Sequence, residues 1–382
     1  MSGLKHAPLA SIVRNGYKGK SLHPSESVWN LNLDQIESGT GRILGKHIVK
    51  ASELGTSTYQ FEAGTVLYSK LRPYLNKVAI ANEDGAATTE LVPLRCDPEK
   101  ILPKYLAYYL RAPRFLRFAN VVVAGAKMPR MVMSEFWKHE IPLPPLEDQR
   151  RIAAILEKVD ELRAKRRDAL ALLDSMAQSI FVDMFGDPKT NSFGWPVYEV
   201  GELADCIVPG RDKPKSFSGK IPWVTTEDLN CFGYTMGSRG GVGLTEGEID
   251  AVRARVIPAG SVIMSCVGRL GVVSIAGTRM VVNQQLHSFQ CGDQLDACYL
   301  MHYLPSQIAY MYSKATSTTL PYMNKGVCNG IPVMAPPINL QRLFSNKILE
   351  IDKMRGVHIQ ALDLLNELFS SLQDAAFLEV YQ

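Results

Sequence analysis

Two stretches nearly half the chain apart share one pattern, PPLEDQRR at 144–151 and PPINLQRL at 336–343. Gln149-Arg150 recurs as Gln341-Arg342, 192 residues on. At that offset Val159-Asp160 falls on Ile351-Asp352, Leu172-Leu173 on Leu364-Leu365, and Phe185 on Phe377. Ala126-Lys127-Met128-Pro129 falls on Thr318-Thr319-Leu320-Pro321. Further back the offset drifts, which implies short loop insertions. Ala63-Gly64-Thr65-Val66 meets Ala259-Gly260-Ser261-Val262 at 196, and at 194 Trp29 meets Trp223 and Leu9-Ala10 meets Leu203-Ala204. The 382 residues are therefore a tandem duplication. Each copy is of domain size rather than a solenoid repeat, and whatever one half builds, the other builds as well.

Each copy reads as a globular unit, then Ile-Pro…Pro-Pro, then a long helix. Proline suits a first helical turn and the linker before it, so IPLPP and IPVMAPP read as stiff linkers that launch helices. The first helix is expected from about Leu146 to Met184, on the order of 55 Å. Its apolar spacing, Ile152, Ile155, Val159, Leu162, Arg166, Ala169, Leu173, Met176 and Ile180, is a heptad seam with one charged break. The second gives Phe344, Lys347, Ile351, Met354, His358, Ala361, Leu365, Leu368 and Leu372. Arg166 and His358 occupy the same repeat position at the two midpoints. Paired antiparallel about a pseudo-two-fold axis, the helices bring those midpoints together, and a polar residue in a seam commonly fixes register. The alternative is that both side chains reach solvent.

The globular units mix short strands and helices. FEAGTVLYSK and IPAGSVIMSC read as an Ala-Gly turn entering a strand. VAIAN and ELVPLRC, and GVVSIAG and HSFQC, supply further strands. PKYLAYYLRAPRFLRFA and DACYLMHYLPSQIAYMY read as amphipathic helices interrupted by Pro113 and Pro305. The expected class is α+β with curved antiparallel sheets: two homologous globular units separated by two long helices pairing as an antiparallel coiled coil. The expected boundaries are 1–143, 144–187, 188–335 and 336–382. Trp29 and Trp223 are both read as core.

Composition excludes more than it selects. No apolar run is long enough to span a membrane, and the N-terminus lacks the apolar region of a signal peptide. The seven cysteines are odd in number with no CxxC, which argues against a disulfide framework or zinc site and for a reducing cytoplasm. The net charge is only +4. However, Lys100 to Arg130 carries seven basic residues and no acid, and Ala251 to Gly292 carries four arginines and no acid. Such stretches suggest a polyanion-facing surface in each half, or ordinary solvated helix faces. No catalytic, metal or cofactor motif stands out. The Pro-Pro strings belong to the helix linkers, GTGRILGKH lacks P-loop spacing, HExxH and GxSxG are missing, and the histidines lack ligand spacing. Together these point to a binding protein.

Two variable globular units, each followed by a PPLxxQxxI-type helix, resemble the DNA-specificity subunit of type I restriction-modification systems. The resemblance covers essentially the whole chain. The second copy departs from the pattern at Asn339 and at Lys347 in the seam. The resemblance implies a non-catalytic subunit whose two target recognition domains each read half of a split, asymmetric site in double-stranded DNA. It further implies helices that set the spacer and dock two copies of the adenine-methylating subunit, within a complex completed by an ATP-dependent translocating nuclease. Heads roughly 34–36 Å apart meet the same side of a duplex. The competing readings are a recognition module borrowed by a fused methyltransferase-nuclease, and a coiled-coil scaffold that binds protein alone.

Phosphates attract Lys, Arg and backbone N–H groups, while base edges attract Arg, Asn, Gln, Ser and Thr. Loops at equivalent repeat positions should share a role. The candidates in the first unit are Lys70, Arg72 and Tyr74, then Thr88, Thr89 and Glu90, then Lys127 and Arg130. Those in the second are Arg269, then Asn283, Gln284 and Gln285, then Thr319, Tyr322, Asn324 and Lys325. The basic loops YKGKS (17–21) and RDKPKS (211–216) could join them.

Overall fold

The computed structural model describes residues 5–15, 19, 21–55, 57–210, 212–316 and 319–378. It divides into two compact units, Met1–Ala169 with His358–Gln382, and Leu170–Val357.

In the first unit the strand Val66–Ser69 follows the Ala-Gly turn, where Gly64 takes φ +82°. It lies inside a four-stranded antiparallel sheet in the order Val13–Asn15, Leu91–Cys96, Val66–Ser69, Val78–Ile80. Successive side chains point to opposite faces, and both faces are covered, so the whole strand is buried. Val66 and Tyr68 pack under the helices Pro103–Arg111 and Pro113–Val121 with Tyr105 and Phe115. Leu67 packs the other way, with Trp29, Leu31 and Phe61 of a second sheet. That sheet runs Ile48–Lys50, Ser27–Leu31, Gly85–Thr88, Thr58–Phe61, with its central pair parallel.

The second unit repeats this plan. Val262–Ser265 lies between Leu286–Cys291 and Val273–Ala276, with Ala204–Ile207 at one edge and a parallel strand, Tyr234–Thr235, added at the other. The second sheet runs Gly243–Leu244, Ile221–Val224, Met280–Val282, Val256–Ile257, again with a parallel central pair.

The strand ladders correct the repeat alignment near the N-terminus of each copy. His6–Pro8 pairs with Glu140–Pro142 as Val197–Glu199 pairs with Pro332–Met334, so Leu9 corresponds to Val200, not to Leu203. Trp29 and Trp223 are both buried, yet they are not equivalent. Trp29 shares the cluster of Leu31 and Leu67, whereas the matching cluster around Val224 and Ile263 excludes Trp223, which packs with Ile221, Leu244 and Ile249. A one-residue difference in strand register sends a side chain to the opposite face.

The linkers are also more ordered than stiff coil. Ile141-Pro142 and Pro332-Val333 are ladder strands, leaving only a few residues before each helix. The glutamine of the repeated motif closes the joint. Gln149 Nε2 donates to the carbonyls of Lys100 (2.8 Å) and Pro144 (2.9 Å), and its Oε1 accepts from the Leu102 N–H (2.9 Å). Gln341 does the same with Gln294, Pro336 and the Asp296 N–H, at 3.0, 2.8 and 2.9 Å. Both glutamines are fully buried. This explains the persistence of Gln in both copies: one primary amide satisfies three backbone groups at a buried helix entry.

The long helices run Leu146–Phe185 and Ile338–Leu378, 40 and 41 residues, about 60 Å each. In the first unit the early part of one meets the late part of the other, antiparallel. Arg163 Nε donates to Asn366 Oδ1 at 2.8 Å, and Arg166 Nη1 lies 3.1 Å from His358 Nδ1. In the second unit Asp174 pairs with Arg355, and Phe181 and Phe185 pack on Phe344. The expected heptad seam is partly wrong. Ile155, Leu162, Met176, Lys347, Met354 and Leu368 are exposed, and the buried face carries Gln149, Ala153, Leu156, Ala177 and Phe181, with Ile348, Phe369, Gln373 and Phe377 on the second helix. The reason is that the helix ends pack against the globular parts rather than against each other alone, so toward their C-termini the buried residues step by four (Leu173, Ala177, Phe181, Phe185; Phe369, Gln373, Phe377).

Candidate nucleic-acid interface

In the first unit four backbone hydrogen bonds gather three of the expected segments. The Lys70 N–H donates to the Glu90 carbonyl (3.0 Å), and the Met131 N–H to the Lys70 carbonyl (2.8 Å). The Arg72 N–H donates to the Pro129 carbonyl (2.8 Å), and Leu75 N–H to the Arg72 carbonyl (2.9 Å). A β-bridge joins Leu71 to Arg130. Lys70, Arg72 and Tyr74, the Thr88–Glu90 turn, and the hairpin Val123–Ala124/Arg130–Met131 that carries Lys127 therefore form one surface. Arg72 holds φ +48° before the turn Pro73–Leu75, where Tyr74 is exposed. A left-handed non-glycine residue is uncommon and strained. Thr88 is the inward-facing member, with a buried hydroxyl that has no hydrogen-bond partner among the described residues.

The second unit repeats three of these four backbone bonds. The Cys266 N–H donates to the Gln285 carbonyl (2.8 Å), the Met323 N–H to the Cys266 carbonyl (2.9 Å), and the Gly268 N–H to the Pro321 carbonyl (2.8 Å). A β-bridge joins Val267 to Tyr322. Gln285 thus stands where Glu90 does, and Tyr322 where Arg130 does. Asn283 Nδ2 donates to Gln285 Oε1 at 3.1 Å, and Gln284 Nε2 to the Gly210 carbonyl at 3.0 Å. Arg269, Thr319 and Lys325 are exposed. The Asn324 side chain caps the helix Lys325–Asn329 by accepting from the Val327 N–H. Lys18 and Lys20 of the first basic loop, and Arg211 of the second, lie outside the described residues.

The side chains on the shared frame differ in charge. Arg130 Nε and Nη2 both donate to the Glu90 carboxylate, at 3.0 and 2.8 Å, a forked ion pair. Gln285 and Tyr322 are neutral. The basic run from Lys100 to Arg130 is not a single cationic face. Lys100 pairs with Asp97, Lys104 with Glu157, Arg111 with Asp160 and Arg130 with Glu90. Arg111, at the end of the helix Pro103–Arg111, packs against the first long helix, its side chain only 9% exposed. In the second unit Arg279 pairs with Glu246.

One cluster in the second unit invites a catalytic reading and does not support it. Cys206 Sγ lies 2.9 Å from His287 Nε2, and Asn329 Oδ1 is 3.1 Å from the same nitrogen. A cysteine triad needs its two partners on different ring nitrogens. Burial also pushes the thiol up to about 11 and the imidazole down to about 4. Both groups stay neutral, and no thiolate nucleophile forms.

The model of a protein family described as type I restriction modification DNA specificity domain matches residues 27–171 and 193–355, one match in each copy of the repeat. The chain belongs to this DNA-specificity family. The specificity subunit of the type I restriction enzyme EcoDI from Escherichia coli is 28% identical over 160 residues, 41% of this chain and 35% of that protein. The match thus spans about a third of that relative's length. A putative specificity subunit of the MjaX enzyme from Methanocaldococcus jannaschii is 23% identical over 377 residues, covering 91% of this chain and 85% of that one. Among solved structures, a chain from a type I restriction-modification complex gives a TM-score of 0.58 at 19% identity, covering 99% of this chain and 98% of that one. A specificity subunit from M. genitalium gives 0.59 at 14%, covering 99% and 97%. These likenesses establish the fold of the DNA-specificity family: paired α+β units, each followed by a long helix.

Proposed function

We propose that this chain is the non-catalytic DNA-recognition subunit of a type I restriction-modification complex. Residues 1–143 and 188–335 are its target recognition domains, each reading one half of an asymmetric bipartite site. Residues 144–187 and 336–382 are the linkers and helices that fix the spacer. The observation that carries this reading is the duplicated frame. One backbone scaffold presents Glu90 and Arg130 in the first unit and Gln285 and Tyr322 in the second, which suits two related heads reading different half-sites. Around it, Lys70, Arg72, Tyr74, Thr88, Thr89 and Lys127, and Arg269, Asn283, Gln284, Thr319, Asn324 and Lys325, supply the remaining contacts.

The partners are double-stranded DNA, two copies of a methyltransferase subunit, and a translocase-nuclease subunit that adds restriction. The helices support the second of these. Leu162 and Met354, Leu172 and Leu364, and Met176 and Leu368 are matched pairs across the repeat, each between 40% and 67% exposed. Apolar residues left in solvent at duplicated positions fit two copies of one partner. The complex works in the cytoplasm; no helix among the described residues is long and apolar enough to cross a membrane.

The test is the methylome of a host carrying the chain with its methylating subunit, before and after deletion of the chain. Loss of one bipartite methyladenine motif is the expected result. An unchanged methylome with both genes expressed would sink the reading.

A further inference from the structure

We infer that Arg130 reads a guanine in one half-site and that Glu90 is its positioning residue. The inference rests on the DNA-recognition reading above and assigns the chemistry of one contact within it.

The guanidinium is held twice. Its backbone is fixed by the bridge to Leu71 and by the Met131 and Arg72 hydrogen bonds on either side. Its Nε–Nη2 edge is occupied by Glu90, at 3.0 and 2.8 Å. Glu90 is fixed in turn through its carbonyl, which accepts from the Lys70 N–H. What remains is the Nη1–Nη2 end, whose one other hydrogen bond among the described residues is a long 3.4 Å approach of Nη1 to the Met128 carbonyl. The Arg130 side chain is 44% exposed and Glu90 only 23%, so the arginine forms the outer member.

Charge decides between a base and a phosphate. A cation paired with a carboxylate is nearly neutral and gains little from the DNA backbone, whose attraction scales with net charge delivered. The fork geometry survives the pairing, and an arginine fork matches the O6 and N7 acceptors of guanine in the major groove. A second arginine-specific feature is rigidity: a pre-oriented fork loses less freedom on docking than a solvated one. In the other unit the same two frame positions carry Gln285 and Tyr322, with the Gln285 amide oxygen already accepting from Asn283. That set has no guanidinium fork, so the guanine requirement belongs to the first half-site alone at this position.

The experiment is the methylated motif of the complete methylating complex, carrying the wild-type chain, Arg130→Ala, Arg130→Lys or Glu90→Gln. Wild type yields a bipartite motif; its failure to do so overturns the functional reading itself. With that motif in hand, Arg130→Ala is expected to methylate sites in which one guanine of one half-site is replaced, discrimination there falling roughly ten- to hundredfold. The second half-site stays as it was. Glu90→Gln relaxes the same position less, because the fork remains but its aim is loosened. If Arg130→Ala abolishes methylation, Arg130→Lys decides, since it keeps the charge and loses the fork: relaxation at that one base supports the inference, and the wild-type motif overturns it. An unchanged motif in Arg130→Ala overturns it too. So does uniformly weaker binding with a salt dependence reduced by about one phosphate contact, which would make Arg130 a backbone clamp.

Discussion

Gln149 and Gln341 do a job that no apolar residue can. Each amide satisfies two carbonyls and one N–H at a buried helix entry. Gln149→Ala leaves those groups without partners and is expected to destabilise the first unit by about 3 kcal/mol, since each stranded buried group costs about 1–3 kcal/mol. Gln341→Ala should act similarly on the second unit. Urea unfolding of the two variants measures this, and wild-type midpoints would show that water takes over the amide's role. At this scale the sequence was informative about which residues recur, but not about what they do. The Gln-Arg pair marked the repeat, yet only the packed joint shows why the glutamine is needed.

At the scale of elements, the two helices meet through polar layers. Asp160, Arg163 and Asn366 form one in the first unit, and their repeat equivalents Asp352, Arg355 and Asp174 form another in the second. Arg166 and His358 meet at 3.1 Å. Arginine has only donors, so His358 Nδ1 is the acceptor of this contact. A double-mutant cycle of Arg166→Leu and His358→Leu is expected to give a coupling of about 0.5–1.5 kcal/mol by thermal unfolding. Strict additivity would mean that the contact contributes nothing to the pairing. The strands, the paired short helices and the long helices were all legible from periodicity and from the placement of proline and glycine. The seam was legible only at alternate positions: Val159, Leu173, Phe344 and Ile351 are buried. Ile155 and Leu162 fit the heptad and are nonetheless exposed, whereas Phe181 and Phe369, outside the heptad, join the helix pair to the cores of the globular parts. A pattern within one helix does not say which neighbour its face will meet. The tryptophans teach the same lesson for strands, because a local match cannot fix register. The candidate DNA-contacting segments could be paired by repeat position, but the Glu90–Arg130 fork depends on a contact 40 residues apart in sequence.

At the scale of the molecule, stability is tied to pH through three histidines. Burial lowers His139, His287 and His302 from 6.5 to about 4. Between those values the unfolded chain takes up protons that the native chain refuses, so stability is full above pH 6.5 and falls as the pH drops towards 4. The slope is about 1.4 kcal/mol per pH unit for each histidine in that window. His139 belongs to the first unit and the other two to the second, so both should weaken. Urea midpoints at pH 7, 6 and 5 are expected to decline, and a flat profile would show that these imidazoles are already charged in the native state.

The first unit is completed by the far end of the chain. Phe377 lies edge-on to Tyr105 and Tyr109, Phe369 to Tyr108, and Gln373 Nε2 donates to the Tyr108 carbonyl. During synthesis, therefore, the first globular part emerges with its core still open. It waits while the 192 residues from 186 to Phe377 are made, on the order of 10–40 s at about 5–20 residues per second. Its apolar pocket around Tyr105 and Tyr109 is exposed to chaperones throughout that interval. A nonsense mutation late in the gene would thus strike the domain encoded first.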